Sequence, residues 1–282
     1  MYEIIFFLLV PFIAMLYEGL HRKINARLQN RIGPPIIQPF YDIKKLFQKK
    51  KLKSQNDPFF NYSPFFYFLS TYALFLFIPF SIIAFNFDFV VLVYITILSS
   101  AFYVLAGLSS DNPFGIVGSM REMILMIAYE IALVIVIFNF MIKGGVFSLA
   151  NFNSTFLLLS IPISSAVMAA ILIVELHITP LDTSEAAAEI MSGSGTEYSG
   201  KNLALFELAT YLKRLFFVFL MPLLLFGKNI FIILPLSLLF LFIYSFTQAT
   251  TPRYRLDQAF IVCFLIMILA LIDFILITRG IL

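Results

Sequence analysis

Apolar runs of about 20 residues recur along this chain, near residues 2–20, 64–85, 89–108, 120–142, 156–176, 203–226, 229–248 and 258–278. Each is long enough to cross about 30 Å of hydrocarbon at 1.5 Å per residue. Lipid offers no hydrogen bonds to a backbone, so a spanning segment must be a helix or part of a closed barrel, and runs without period-two alternation select helices. The prediction is an all-α polytopic membrane protein with about eight transmembrane helices, forming a single membrane domain over residues 1–282. Composition agrees: 61% of residues are hydrophobic and 12% charged, with mean hydropathy +0.97, against roughly 45–50% and 25% for soluble domains. Glu3 stands ahead of the first run with no base, and no small-residue cleavage site follows, so the first run is expected to stay as a helix. No internal repeat or linker is visible.

The charges have sides. The 36 residues from Arg22 to Asp57 hold ten bases, while the connections after the second, fourth and sixth runs are short and carry few. The bias of Lys and Arg toward cytoplasmic loops predicts both termini on the outer side and the long loops in the cytoplasm. Within the first loop, Ile36, Phe40, Ile43 and Phe47 share one helical face and Lys44, Lys45, Gln48 and Lys49 the other. This predicts an amphipathic helix starting at Pro39, lying either in the headgroup plane or as a lid under the bundle. Lys23, Arg27 and Arg31 are spaced four apart on an expected extension of the first span that the Gly33–Pro34–Pro35 turn stops; such a stripe either docks an acidic partner or is a solvated face. Basic loops of this kind are ordinary beside membranes, and no nucleic-acid partner is expected.

Intramembrane charges are costly and usually face a bundle interior with a partner. Lys213 and Arg214 fall inside the sixth run, where Arg214 can meet Glu207 seven residues earlier, or both bases can snorkel toward an interface. Glu130 lies within the fourth run, and Glu122 near its end. The stretch 174–200 then gathers Glu175, Asp182, Glu185, Glu189 and Glu197 with no base before Lys201. Asp182 and Glu185 have the spacing of a capping box, opening a short helix with Glu185 and Glu189 on one face and Gly193 and Gly195 at its end. These acids are either solvated or a buried carboxylate chain reaching from the loop toward mid-membrane, in which close carboxyls share protons. One cysteine, Cys263, and two histidines cannot hold an iron–sulfur cluster or a structural zinc, so no metal site is assigned. Cys263 reads as a packing residue.

Four segments together, "EGLHRKINARLQNRIGPPIIQPFYDIKKLF", "MREMILMIAYEIALV", "TPLDTSEAAAEIMSGSGTEYSG" and "TTPRYRLDQ", resemble subunit 1 of respiratory complex I and its counterparts in energy-converting membrane-bound hydrogenases. The resemblance implies an eight-helix subunit of a prokaryotic plasma membrane that joins a cytoplasmic redox arm to an ion-translocating arm. Carried over by motif, it implies ion-coupling roles for Glu130, Asp182, Glu185, Glu189 and Glu197, extended by the residue reading to Glu175 and Glu207. It implies a redox-arm interface of Tyr198, Arg253, Arg255 and Asp257, to which Arg27 and Arg31 are added. It implies no catalytic residue and no cofactor held by this chain: iron–sulfur clusters, and a nickel–iron centre in a hydrogenase, would lie in partner subunits. Expected partners are hydrogenase-like iron–sulfur subunits, small membrane subunits, antiporter-like subunits and the bilayer. Quinone-reducing members read Glu-x-x-Arg-Ala-Pro-Phe-Asp where this chain has Ile178 and Leu181 in "ELHITPLD". Loss of that guanidinium points away from quinone and toward a ferredoxin-dependent, hydrogenase-type complex. The alternatives are a quinone-chamber subunit, a structural anchor and a free-standing transporter.

Overall fold

Helix starts follow the local chemistry. Asp57, Asn112 and Asn229 each accept a hydrogen bond from the backbone N–H two residues on, and Pro58 and Pro113 occupy the first helical position, where a missing N–H costs nothing. The computed structural model describes residues 2–50, 57–79, 82, 86–145, 148–149, 157–184, 186–191, 193–227 and 229–280. In chain order the helices are α1 (Tyr2–Leu28), α2 (Gln38–Gln48), α3 (Pro58–Ala73), α4 (Asp88–Leu108), α5 (Pro113–Gly144), α6 (Leu157–Ser160), α7 (Pro162–Glu175), α8 (Ala187–Ile190), α9 (Gly200–Phe226), α10 (Ile230–Thr250) and α11 (Leu256–Thr278). No strand occurs among the described residues.

Six of these helices, α1, α4, α5, α9, α10 and α11, are long and apolar enough to cross a membrane. The second and fifth expected spans are shorter as helices. After Ala73, α3 tightens into a 3-10 turn at Leu74–Leu76 ahead of Pro79, whose ring disfavours helical geometry at the preceding residue. Likewise Pro162 holds Ile161 out of the helical region, with φ −135° and ψ 70°, so the fifth run divides into the single turn α6 and the 14-residue α7. Two other expectations are corrected. The helical extension of α1 ends at Leu28, before Arg31, because Asn30 turns left-handed at φ 58° and the Arg31 N–H closes on the Ala26 carbonyl at 2.7 Å. The short helix expected to open at Asp182 begins instead at Ala187, without a side-chain cap, and the capping-box partner Glu185 lies outside the described residues.

α9 is the axis. Of its most apolar window 94% is buried inside the chain, against 28% for α10 and for α11, whose remaining faces carry exposed Leu, Ile and Phe. α1, α2, α3, α7 and α10 pack on α9, while α4, α7 and α11 pack on α5. The amphipathic α2 lies against α1 and α9, with Pro39 and Ile43 buried and Lys44, Lys45 and Lys49 exposed. Of the two sequence alternatives, the packing is that of a lid on the bundle. The approach to α2 requires a glycine: a Cβ on Gly19 of α1 would stand 1.9 Å from the Ile36 carbonyl oxygen.

Gly19→Ala therefore must push the 33–37 segment and α2 away from α1, at a cost of about 1–3 kcal/mol. Thermal unfolding of the detergent-solubilised full chain should show a lower midpoint, and an unchanged midpoint refutes this seating of α2.

Candidate functional site

A polar thread starts at the loop-rich, basic end of the bundle. Arg253, on the segment between α10 and α11, donates to Asp182 at 2.7 Å, and the Tyr254 N–H bonds the Pro180 carbonyl at 2.9 Å, joining the 176–199 segment to that rim. Two residues beyond Asp182, Ser184 shares a hydrogen bond with His177 Nδ1 at 3.4 Å. The same Nδ1 lies 3.8 Å from Glu122 of α5, which accepts from Tyr129 at 2.8 Å. Deeper still, Glu175 at the end of α7 is ion-paired to Lys213 of α9 at 2.7 Å, and Lys213 donates to Ser100 of α4 at 3.0 Å. Glu130 of α5, 5% exposed, shares these surroundings, with Glu175, Lys213 and Ser100 as its polar neighbours. Four helices thus each supply polar groups to one dry cluster. Three carboxyls there face one ammonium and one imidazole, and buried charges this close interact strongly, so a change at one is felt by its neighbours.

The neighbouring base belongs to a second cluster. Arg214 donates to Glu18 of α1 at 3.1 Å, and Glu18 also accepts from Arg22 at 2.9 Å. Arg22 reaches Asp42 of α2 at 3.1 Å and the Tyr211 hydroxyl at 2.7 Å. Glu18, His21, Tyr211 and Arg214, with Ile178 and other apolar groups, line a cavity of about 30 Å³. Arg214 thus finds a carboxyl on another helix, Glu18. Glu18 had a signal in the sequence, a carboxyl inside the first apolar run, of the kind used to single out Glu130.

The remaining predicted residues divide. Of the two alternatives for the loop acids, Glu189 takes the solvated one: its side chain is 59% exposed and pairs with Arg121 at 2.6 Å, a hydrogen-bonded charge that holds the carboxyl below its usual range. Arg121, Glu189, Arg253, Arg255 and Asp257 line a polar recess of about 270 Å³. Glu197 is half-buried and accepts from Asn112 at 2.9 Å. Glu207 is half-buried on α9, and Arg27 and Arg31 are exposed. Tyr198, predicted at the redox-arm surface, points inward: it is 4% exposed, donates to the Ala106 carbonyl at 2.9 Å, shares a hydrogen bond with Ser63 at 2.9 Å, and stacks on Phe60. Burial pushes its phenol up to about 12, so it stays neutral and packs the base of the loop.

The family profile described as NADH dehydrogenase matches residues 2–278. The chain belongs to this family. Within it, the chain is 30% identical over 256 residues to NADH-ubiquinone oxidoreductase chain 1 of Aedes aegypti, covering 85% of this chain and 82% of that protein. It is 29% identical over 283 residues to an NADH-quinone oxidoreductase subunit of Campylobacter jejuni, covering 88% and 85%. Among solved structures, a chain of the membrane-bound sulfane sulfur reductase, an archaeal respiratory membrane complex, superposes with a TM-score of 0.89 over 97% of both chains. At 22% identity that likeness is one of fold. The chain is accordingly a multi-pass membrane protein of the type of complex I subunit 1.

Among the described residues Lys213 is the base paired with Glu175, so Lys213→Met should leave a buried carboxylate uncompensated and cost about 3–5 kcal/mol of stability. Adding Glu175→Gln should recover part of that loss in a thermal unfolding measurement; a double variant no more stable than Lys213→Met counts against the pair.

Proposed function

We propose that this chain is the membrane subunit of a ferredoxin-dependent, hydrogenase-type respiratory complex, crossing the membrane eight times with both termini outside. It would anchor the cytoplasmic redox arm and couple electron transfer to proton or sodium movement. The observation that carries this reading is the thread from Arg253 and Asp182 at the rim, through His177 and Glu122, to Glu175, Lys213 and Glu130. Electrons would pass through iron–sulfur clusters of partner subunits docked at the rim, where Arg121, Arg253 and Arg255 offer positive charge beside Glu189 and Asp257. A change in charge there alters which carboxyl of the thread holds a proton, since buried charges a few ångströms apart interact strongly. Antiporter-like subunits would then receive that change as ion movement.

The non-quinone branch is supported by Ile178, which stands where quinone-reducing members carry a guanidinium and forms one wall of the cavity beside Glu18 and Arg214. The competing reading, a quinone-chamber subunit, is favoured by the names of the two relatives above. Quinone co-purifying with the complex, or donor oxidation blocked by a quinone-site inhibitor, would decide for it.

Glu130→Gln removes the innermost proton-holding group while keeping its shape. In the intact complex reconstituted in vesicles, subunit composition should be unchanged and donor-driven ion uptake should fall by roughly tenfold or more, as loss of a positioned proton carrier does. Uptake at the wild-type rate would reduce the chain to a structural anchor.

A further inference from the structure

A cavity lies apart from the carboxylate thread, where α3 begins and α4 ends at the loop-rich side of the bundle. The two helices pack on one another. Phe59, Tyr62 and Phe66 share one face of α3 at spacings of three and four, and Phe102, Leu105 and the cap residue Ser109 share one face of α4 at the same spacings. Together they line a cavity of about 490 Å³, the size of a small-molecule site. Seven positions separate its ends on each helix, so it runs about 10 Å along the helix axes. Its polarity changes along that length. Phe66 and Phe102 close the deep end, stacked with ring centroids 5.4 Å apart, while the outer end holds Ser109 and Asp57, the residue that caps α3. In the inner wall, Ser63 shares a hydrogen bond with Tyr198 at 2.9 Å, which ties the cavity to the 176–199 segment.

Phe59, Tyr62, Phe66 and Leu105 are exposed, so the cavity opens sideways, toward lipid. A groove that is apolar in the membrane and polar at its surface matches an amphiphile standing along the bilayer normal. Charge selects the head of that amphiphile. Among the described residues lining the cavity the one charged group is an acid, Asp57. α4 ends at the same mouth with no base in its last turn, so the negative end of its dipole adds to that acid. Both favour a cation that can donate hydrogen bonds. We propose that this cavity binds one phospholipid with a primary ammonium headgroup, the ammonium at Asp57 and an acyl chain running past Tyr62 and Leu105 toward Phe66 and Phe102. The chain packs against the wall on which Tyr198 is held. This site needs only the membrane placement of the bundle and is independent of the redox reading.

The test uses the full chain in phosphatidylcholine nanodiscs, irradiated with phosphatidylethanolamine that carries a diazirine in its acyl chain, with adducts mapped by peptide mass spectrometry. Adducts should concentrate on residues 57–66 and 102–109. Leu105→Trp, which fills the groove from an exposed position, should lose most of that labelling. In the wild type, unlabelled phosphatidylethanolamine should compete better than phosphatidylglycerol by roughly threefold, the size of an exposed ion pair. Asp57→Asn keeps the helix cap, since Asn caps as well as Asp, and should keep the labelling but lose that preference. Labelling spread evenly over the lipid-facing helices, labelling unchanged by Leu105→Trp, or equal competition by the two lipids in the wild type overturns the site. So does labelling of the isolated chain that disappears in the purified complex, because a partner's helix then fills the groove. Should Leu105→Trp fail to fold, Tyr62→Ala decides: it removes one exposed wall, and unchanged labelling overturns the proposal.

Discussion

The pair between Lys213 and Glu175 is where the architecture meets its strictest constraint. α9 is covered on nearly every side, so a base in its middle has neither water nor headgroups within reach. Its charge has to be met by groups from other helices, and α7 and α4 supply them. Those helices must then end and cross where they do: α7 stops at Glu175, and α4 brings Ser100 to the same depth. A pair of this kind is weak evidence for stability, since apolar residues of equal volume often do as well, but removing either partner is expensive. Glu130 and Glu122 sit close enough to respond to the pair.

The same constraint explains the second cluster. Arg214 follows Lys213 directly and therefore faces a different side of α9, where α1 provides Glu18 and, one turn later, Arg22. Arg22 carries the connection to Asp42 of α2, so the lid is held by oil through Ile43 and by charge through Asp42. Two adjacent bases on one central helix thus organise two polar regions, one reaching the rim between α10 and α11 and the other reaching the amphipathic helix. Some buried hydroxyls are met locally: Ser70 and Thr71 of α3 and Ser99 of α4 bond carbonyls three or four residues back, a pattern that asks nothing of a neighbouring helix.

Much of the fold was legible because lipid imposes a one-dimensional rule. Six of the expected spans coincide with long helices to within a few residues at most of their ends, and the amphipathic helix begins one residue from its predicted start. The misses lie at Pro79 and Pro162, inside runs that hydropathy reads as continuous, and at the Asp182 segment, where the short helix begins only at Ala187 and Asp182 is engaged by Arg253. Among site residues, Glu130, Glu175 and Lys213 stood out as charges within apolar runs. Glu18 has the same signal, and His177 acquires its place only when the loop folds back on α5.

What the sequence determined by itself is which segments are helical, which are amphipathic and which charges lie at membrane depth, since these depend on side-chain type and position along one strand of chain. Partnership was decided by tertiary structure alone. Arg214 meets Glu18 across 196 positions, Glu189 is left at the surface, and Tyr198 is turned inward. Pairing in a medium without water is set by the rotation and depth of each helix against its neighbours. Those quantities belong to the packed bundle, and no single segment carries them.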